Sequence, residues 1–163
     1  MVTKSSHLFT IRRFSIFLGI IIILSDQLTK ALIRTALSVG EFIFTIPSFF
    51  SIVHFTNTGV GFGLLKDKSS IIASISILII FFLLFYLKKR EKENAAAIEQ
   101  YTLAAISAGA LSNLIDRLIF GTVTDFIYFH FWPAFNIADS AITIGAIILI
   151  IIYVKKEQSK IQA

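Results

Sequence analysis

The chain has 163 residues, 56% of them hydrophobic, and a formal net charge of +5. Its mean hydropathy of +0.83 is far above that of a soluble domain and points to a membrane protein of single-domain length. No Cys is present, which excludes disulfides, thiol nucleophiles and thiolate metal sites.

About 20 mainly apolar residues cross a bilayer as a helix, and four stretches qualify. The first covers about 14–35, "FSIFLGIIIILSDQLTKALIRT". Its opening also has the length of a secretory h-region behind Arg12 and Arg13. However, no A-x-A-like site closes it and "SDQLTK" follows directly, so it reads as a span. Residues 41–65 are mixed in character. There "EFIFTI" and "FFSIVHF" read as strands, interrupted by Pro47 and by the glycine-rich "NTGVGFG". The second span covers about 69–87, the third and most polar about 95–120, and the fourth about 136–154. The expected fold is an α-helical integral membrane protein. Its four transmembrane helices carry a small extracytoplasmic β-sheet and loop region between helices 1 and 2. Residues 1–163 form one membrane-embedded domain, without internal repeat or low-complexity tract.

Cations set the orientation. Lys4, Arg12 and Arg13 precede the first span, Lys88, Lys89, Arg90 and Lys92 separate the second from the third, and Lys155, Lys156 and Lys160 follow the fourth. In a four-span chain these places share one side, which is the cytoplasm, with both termini inside and the strands outside. The positive charge is therefore read as topology and not as a nucleic-acid surface. Trp132, Tyr128 and the neighbouring Phe residues fit an aromatic belt at the outer interface.

The third span runs outward and the fourth inward. Asp125, just past the third span, and Asp139, early in the fourth, therefore meet at the outer face. Asp26 lies about 18 Å along the first span, and Lys30 one turn further out. Asn113, Asp116 and Arg117 share one face of the third span, as Asn136, Asp139 and Thr143 do on the fourth. Intramembrane polar groups gathered at one depth mark a functional site. Several have plainer uses. Asp26 and Lys30 at i, i+4 neutralise each other, and Asp116 and Arg117 orient and neutralise neighbours. Asn113 and Asn136 serve as helix–helix glue, and Gly109 with Ala105 and Ser112 allows close packing. His54 and His130 read as interface residues, and Ser140 as an early helix residue. Asp139 suits a helix N-cap, but capping explains one carboxylate and not both.

Two carboxylates at one partly dry site cannot both ionise easily, so one keeps a proton and the pair titrates as a unit. That suits peptide-bond hydrolysis. The ionised member takes a proton from water; the protonated member polarises the scissile carbonyl and helps the amine leave. His7, His54 and His130 are scattered and form no HExxH-type pair, so neither a metal nor a cofactor is expected. A Ser–Lys dyad built on Lys30 stays open as a second mechanism. A small proton-coupled carrier is a rival class, since intramembrane carboxylates also mark ion paths. Against it, the polar groups crowd one face instead of crossing the bilayer, and no inverted repeat is visible. An inactive scaffold of the same fold is a third reading.

Four segments then carry a family resemblance. "DQLTK" (Asp26 to Lys30) is similar to a D-Q-x-x-K segment and "NTGVGFG" (Asn57 to Gly63) to an N-x-G-x-x-F loop. "GALSNLIDRLIFGTVTDF" (Gly109 to Phe126) resembles a G-A-x-x-N-x-x-D-R and G-x-V-x-D-F block, and "FNIADS" (Phe135 to Ser140) an F-N-x-A-D block. In this order, over nearly the whole chain, they resemble the lipoprotein signal peptidases, also called signal peptidase II. Ser112 and Gly61 depart from the Gly and Ala common there, small for small. The resemblance implies an aspartic endopeptidase of the bacterial cytoplasmic (inner) membrane. Such an enzyme frees the signal peptide of diacylglyceryl-modified prolipoproteins by cutting before the lipidated cysteine. It implies Asp125 and Asp139 as the catalytic pair. It further implies Asp26, Lys30, Asn57, Gly59, Asn113, Asp116, Arg117, Asn136 and Ala138 as supporting or substrate-binding residues. The implied partners are the lipid-modified prolipoprotein, the bilayer and globomycin-type inhibitors, with no metal or cofactor. A small sheet would lie at the membrane surface, the glycine-bearing loop would close over the substrate, and the enzyme would act as a monomer.

Overall fold

The computed structural model of the protein describes residues 4–59 and 68–162. The elements in chain order are α1 (Lys4–Ala36), β1 (Phe42–Ile46), β2 (Phe50–Asn57), α2 (Ser69–Lys92), α3 (Ala97–Phe120), β3 (Val123–Phe129) and α4 (Ile137–Ile161). Four of these are helices long and apolar enough to cross a membrane. The expected spans overlap these helices, but α1, α2 and α4 run beyond them at the Lys/Arg-rich end. The runs "KKREK" and "KKEQSK" are good helix formers, so the helix outlasts the hydrophobicity. The stretch Val60 to Gly63, expected to close over the substrate, lies outside the described residues.

The spans differ in what surrounds them. The most hydrophobic window of α3 has a mean hydropathy of 1.4 and is 50% buried within the protein, whereas that of α4 reaches 2.4 with 11% buried. The outer three helices turn Leu28, Leu32, Phe81, Phe85 and Ile150 outward, where lipid would lie. The central helix α3 packs on the other three, so its environment is protein and it can afford polar residues. Glycines set the spacing. A Cβ on Gly109 would fall 2.5 Å from the Ala138 carbonyl oxygen, and one on Gly145 2.5 Å from Ile106 Cγ1. This close approach of α3 and α4 is the small-residue packing that membrane helices favour.

At the Lys/Arg-rich end a second buried cluster ties three helices together. Glu99 on α3 is fully buried. It accepts from Arg90 Nε on α2 at 2.5 Å, from Lys156 Nζ on α4 at 2.6 Å and from Tyr153 Oη at 2.7 Å. The Tyr86 and Tyr153 hydroxyls are 2.5 Å apart, bridging α2 to α4.

At the other end the strands form one antiparallel sheet in the order β1-β2-β3. The first two strands were expected. The third was not: Val123–Phe129 reads from sequence as a connection carrying Asp125. It pairs instead with β2, placing Asp125 opposite Phe55 and Val123 opposite Asn57, with an irregularity between Ile52 and Phe55. The sheet thus joins a strand from the α1–α2 connection to one from the α3–α4 connection. His54 is buried, its Nδ1 lying 2.8 Å from the Leu37 carbonyl oxygen where α1 ends. Trp132 and Phe131 are exposed beside the sheet, in keeping with an aromatic belt.

Candidate active site

The sequence-derived cluster becomes one connected network at the sheet end of the bundle. Its base is an ionic triad. Lys30 Nζ is 2.7 Å from Asp26 Oδ2 and 3.4 Å from Asp116 Oδ2, with all three side chains fully buried. Its third proton goes to Asn113 Oδ1 at 2.8 Å. Three N–H bonds meet three acceptors, which is how a charge survives burial. Asp26 also accepts from Ser112 Oγ at 2.8 Å and from the Ala138 backbone N–H at 3.0 Å, fastening α1 to α3 and α4. Asp116 accepts from the Thr124 N–H at 3.0 Å and thereby holds the start of β3.

Asp125 and Asp139 sit above this base. Asp125 accepts from Asn136 Nδ2 at 2.7 Å and from Asn57 Nδ2 at 3.2 Å. Asp139 accepts from Asn113 Nδ2 at 2.7 Å and from the Asn136 backbone N–H at 3.3 Å. Asn136 therefore touches both carboxylates. It is also the N-cap of α4, accepting from the Asp139 N–H at 2.8 Å. Asp139 is not the N-cap that its position suggests, but the N3 partner in a capping box. A capping box needs an acidic or amide side chain at N3, so helix geometry accounts for Asp139 only in part. The Asp125 carboxyl is pushed up to about 7, by burial first and by the nearby Asp139 charge second. Neither carboxylate has an ion-pair partner within contact distance among the described residues.

Both carboxylates border a groove of about 730 Å³ between α2, α3 and α4. Ile72, Ile75, Ile79 and Leu83 of α2 face Ile106 of α3 and Ile142 of α4 across it. The polar rim holds Asn57, Gly59, Asn113 and Arg117. Arg117 does not pair with Asp116, its sequence neighbour. Its Nη2 donates to the Gly59 carbonyl oxygen at 2.9 Å, while the Gly59 N–H donates to Asn57 Oδ1 at 2.9 Å. An apolar trough ending at two carboxylates and a ring of amides suits an extended peptide attached to an apolar segment.

A sequence model of the signal peptidase (SPase) II family matches residues 18–155. The lipoprotein signal peptidase of Moorella thermoacetica is 37% identical over 134 residues, covering 82% of this chain and 88% of its own. That of Desulforapulum autotrophicum is 41% identical over 137 residues, covering 80% and 85%. The chain belongs to the signal peptidase II family.

Two solved structures of a bacterial membrane enzyme share the fold. One has a TM-score of 0.81 at 34% identity over 90% of this chain and 91% of its own. The other has a TM-score of 0.75 at 35% identity over 87% and 93%. As a member of the signal peptidase II family the chain is an aspartic endopeptidase and a multi-pass protein of the bacterial inner membrane. The family match spans every candidate site residue, from Asp26 to Asp139. Three participants escaped sequence reasoning. Gln27 Nε2 donates to Asp116 Oδ1 at 3.1 Å. Thr124 Oγ1 accepts from Arg34 Nη1 at 3.1 Å, and Arg34 also lies 3.4 Å from Asp116. The signal for Arg34 was available: Asp26, Lys30 and Arg34 stand at i, i+4 and i+8 along one helix face.

Proposed function

We propose that this signal peptidase II chain removes the signal peptide from diacylglyceryl-modified prolipoproteins, cutting before the lipidated cysteine. Asp125 and Asp139 form the dyad that activates a water. The observation that carries this reading is their shared setting: two carboxylates held by amides instead of cations, at the mouth of an apolar groove. Two such groups share one proton, giving the base and the acid that amide hydrolysis needs. Asn57, Asn113 and Asn136 orient the pair. Asp26, Lys30, Asp116 and Arg117 hold the helices and β3 around it, and Gly59 and Ala138 supply backbone contacts that bring the elements close.

The substrate reaches the groove by diffusing in the bilayer, its signal helix and acyl chains staying in an apolar medium. The cation-rich helix ends and both termini face the cytoplasm, and the sheet and dyad face outward. The enzyme works as a single membrane-embedded unit and as a monomer, and globomycin-type cyclic peptides block it. The test is a gel-shift assay with a purified diacylglyceryl-modified prolipoprotein, with and without globomycin. Cleavage by the wild type alone, blocked by the inhibitor, is expected. Turnover at the wild-type rate by either Asp125→Asn or Asp139→Asn refutes the dyad.

A further inference from the structure

The dyad is unevenly supported, and the unevenness has a direction. Asp139 lies in the first turn of α4, where the helix end favours negative charge, and it receives a backbone N–H there. Its second donor is Asn113, whose own amide oxygen accepts from the Lys30 ammonium at 2.8 Å. An amide whose oxygen faces a cation donates more strongly through its nitrogen. Lys30 thus reaches Asp139 through one intervening side chain. Asp125 lies on a strand, with no helix end behind it. Its donors are Asn136 and Asn57, and Asn57 sits at 3.2 Å with its own oxygen facing a backbone N–H, not a cation. The charged groups facing the pair are Lys30 and Asp26 on α1 and Arg117 on α3, with Asp116 beside Lys30. Neither β2 nor β3 brings a cation to Asp125 among the described residues.

We propose that the two aspartates have fixed and different roles: Asp139 holds the charge and takes the proton from water, and Asp125 holds the proton and delivers it to the departing amine. Lys30 and Asn113 are positioning residues that set this division. The proposal rests on the peptidase reading above. In the first step the water oxygen bonds to the scissile carbonyl carbon and one water proton passes to Asp139. The carbonyl oxygen gains negative charge against the Asp125 O–H. In the second step the carbonyl re-forms, the C–N bond breaks and the Asp125 proton moves to the nitrogen. The products are a carboxylic acid and an amine. The single dyad proton now sits on Asp139 and returns to Asp125 through the next water.

The two neighbouring amides test the assignment from opposite sides. The pH profile of kcat/KM for cleavage of a purified diacylglyceryl-modified prolipoprotein has an acid limb set by the base and an alkaline limb set by the acid. Asn113→Ala, which leaves the Lys30–Asp26–Asp116 triad in place, is expected to move the acid limb to higher pH by about one unit. Asn57→Ala is expected to move the alkaline limb upward and leave the acid limb where it is. The reverse pairing, or equal shifts of both limbs, overturns the proposal, and so does a uniform loss of rate with unmoved limbs. A second measurement needs no turnover: carboxyl-carbon NMR of enzyme labelled with 13C-aspartate in detergent. The resonance lost in Asp125→Asn should titrate near neutral pH, and the one lost in Asp139→Asn should keep its ionised position there. Opposite ownership overturns the assignment. If the wild type cleaves no prolipoprotein, the peptidase reading itself fails, which is a separate result.

Discussion

Two buried acidic clusters occupy the two ends of this bundle, and they are built in opposite ways. Glu99 is matched by two cations and a tyrosine hydroxyl, with Arg90 Nη2 adding a fourth bond at 3.1 Å, so its charge is more than balanced and it has no free lone pair to offer. Asp125 and Asp139 face amides and a backbone N–H, which hold a carboxylate in place without neutralising it. The first arrangement ties α2, α3 and α4 together. The second leaves both carboxylates without an ion-pair partner among the described residues, as the proposed proton-sharing dyad requires. Burial and acidity are common to both, so neither marks a reactive site; the identity of the partners does.

Substitutions can break that contrast, and their effects should be graded. The largest belongs to the dyad. Asp125→Asn and Asp139→Asn should each lower prolipoprotein cleavage by about 10³-fold or more while the protein still inserts, as gel-shift rates and membrane fractionation would show. Lys30→Met comes next. It strips the cation from Asp26 and Asp116, so cleavage should fall roughly 10–100-fold without vanishing, with a clear loss of thermal stability in detergent. Complete loss in a well-folded Lys30→Met protein would instead favour a Ser–Lys mechanism. Asn57→Ala removes one 3.2 Å bond to Asp125 and should cost about 10-fold in rate. A greater loss there than at the aspartates would mean that the chemistry has been misplaced.

Acidity gives a milder effect. Asp125 titrates at about 7, above the usual carboxylate range. Between about pH 4 and pH 7 the folded protein therefore holds a proton that the unfolded chain has released. Stability should fall as pH rises through that window, and cleavage should decline above pH 7 as the acid loses its proton. A Tm series across pH 4–8, compared between wild type and Asp125→Asn, isolates this contribution, which should be missing from the variant. The smallest effect on turnover belongs to the other end. Glu99→Gln should leave cleavage within about two-fold, yet lower stability by about 1–3 kcal/mol, since Arg90 and Lys156 lose their shared acceptor while keeping some exposure.

Much of the aspartate side of this contrast could be read from the sequence. Hydropathy located the four helices, and crossing parity brought Asp125 and Asp139 to one face. Spacing put Asn113 with Arg117 and Asn136 with Asp139. What stayed hidden was non-local. Nothing in "VTDFIYF" announces a partner strand some seventy residues earlier, because no tight turn joins it to β2. Asn136 was legible as a polar residue near a helix start, but its choice as cap over Asp139 depends on backbone angles at one residue. The Glu99 cluster was hidden for a similar reason. Arg90 and Lys156 read as topology signals at the membrane surface, and only the convergence of α2 and α4 on α3 aims them inward.

The pairing of β2 with β3 has a consequence for how the enzyme is made. A chain emerging into the membrane completes β2 early, but β2 waits for its partner until α3 has been threaded across. Asp125 can then meet Asn57, while its nearer donor Asn136 and the Asp139 that Asn136 caps are still to come at the start of α4. Lys30, Asn57, Asn113, Asp125 and Asp139 thus arrive from five separate elements, and the last to be translated carries half of the proposed dyad. A half-synthesised protease can harm the envelope proteins beside it. With the proposed dyad divided between β3 and α4, this one would have no working site until its final helix had crossed.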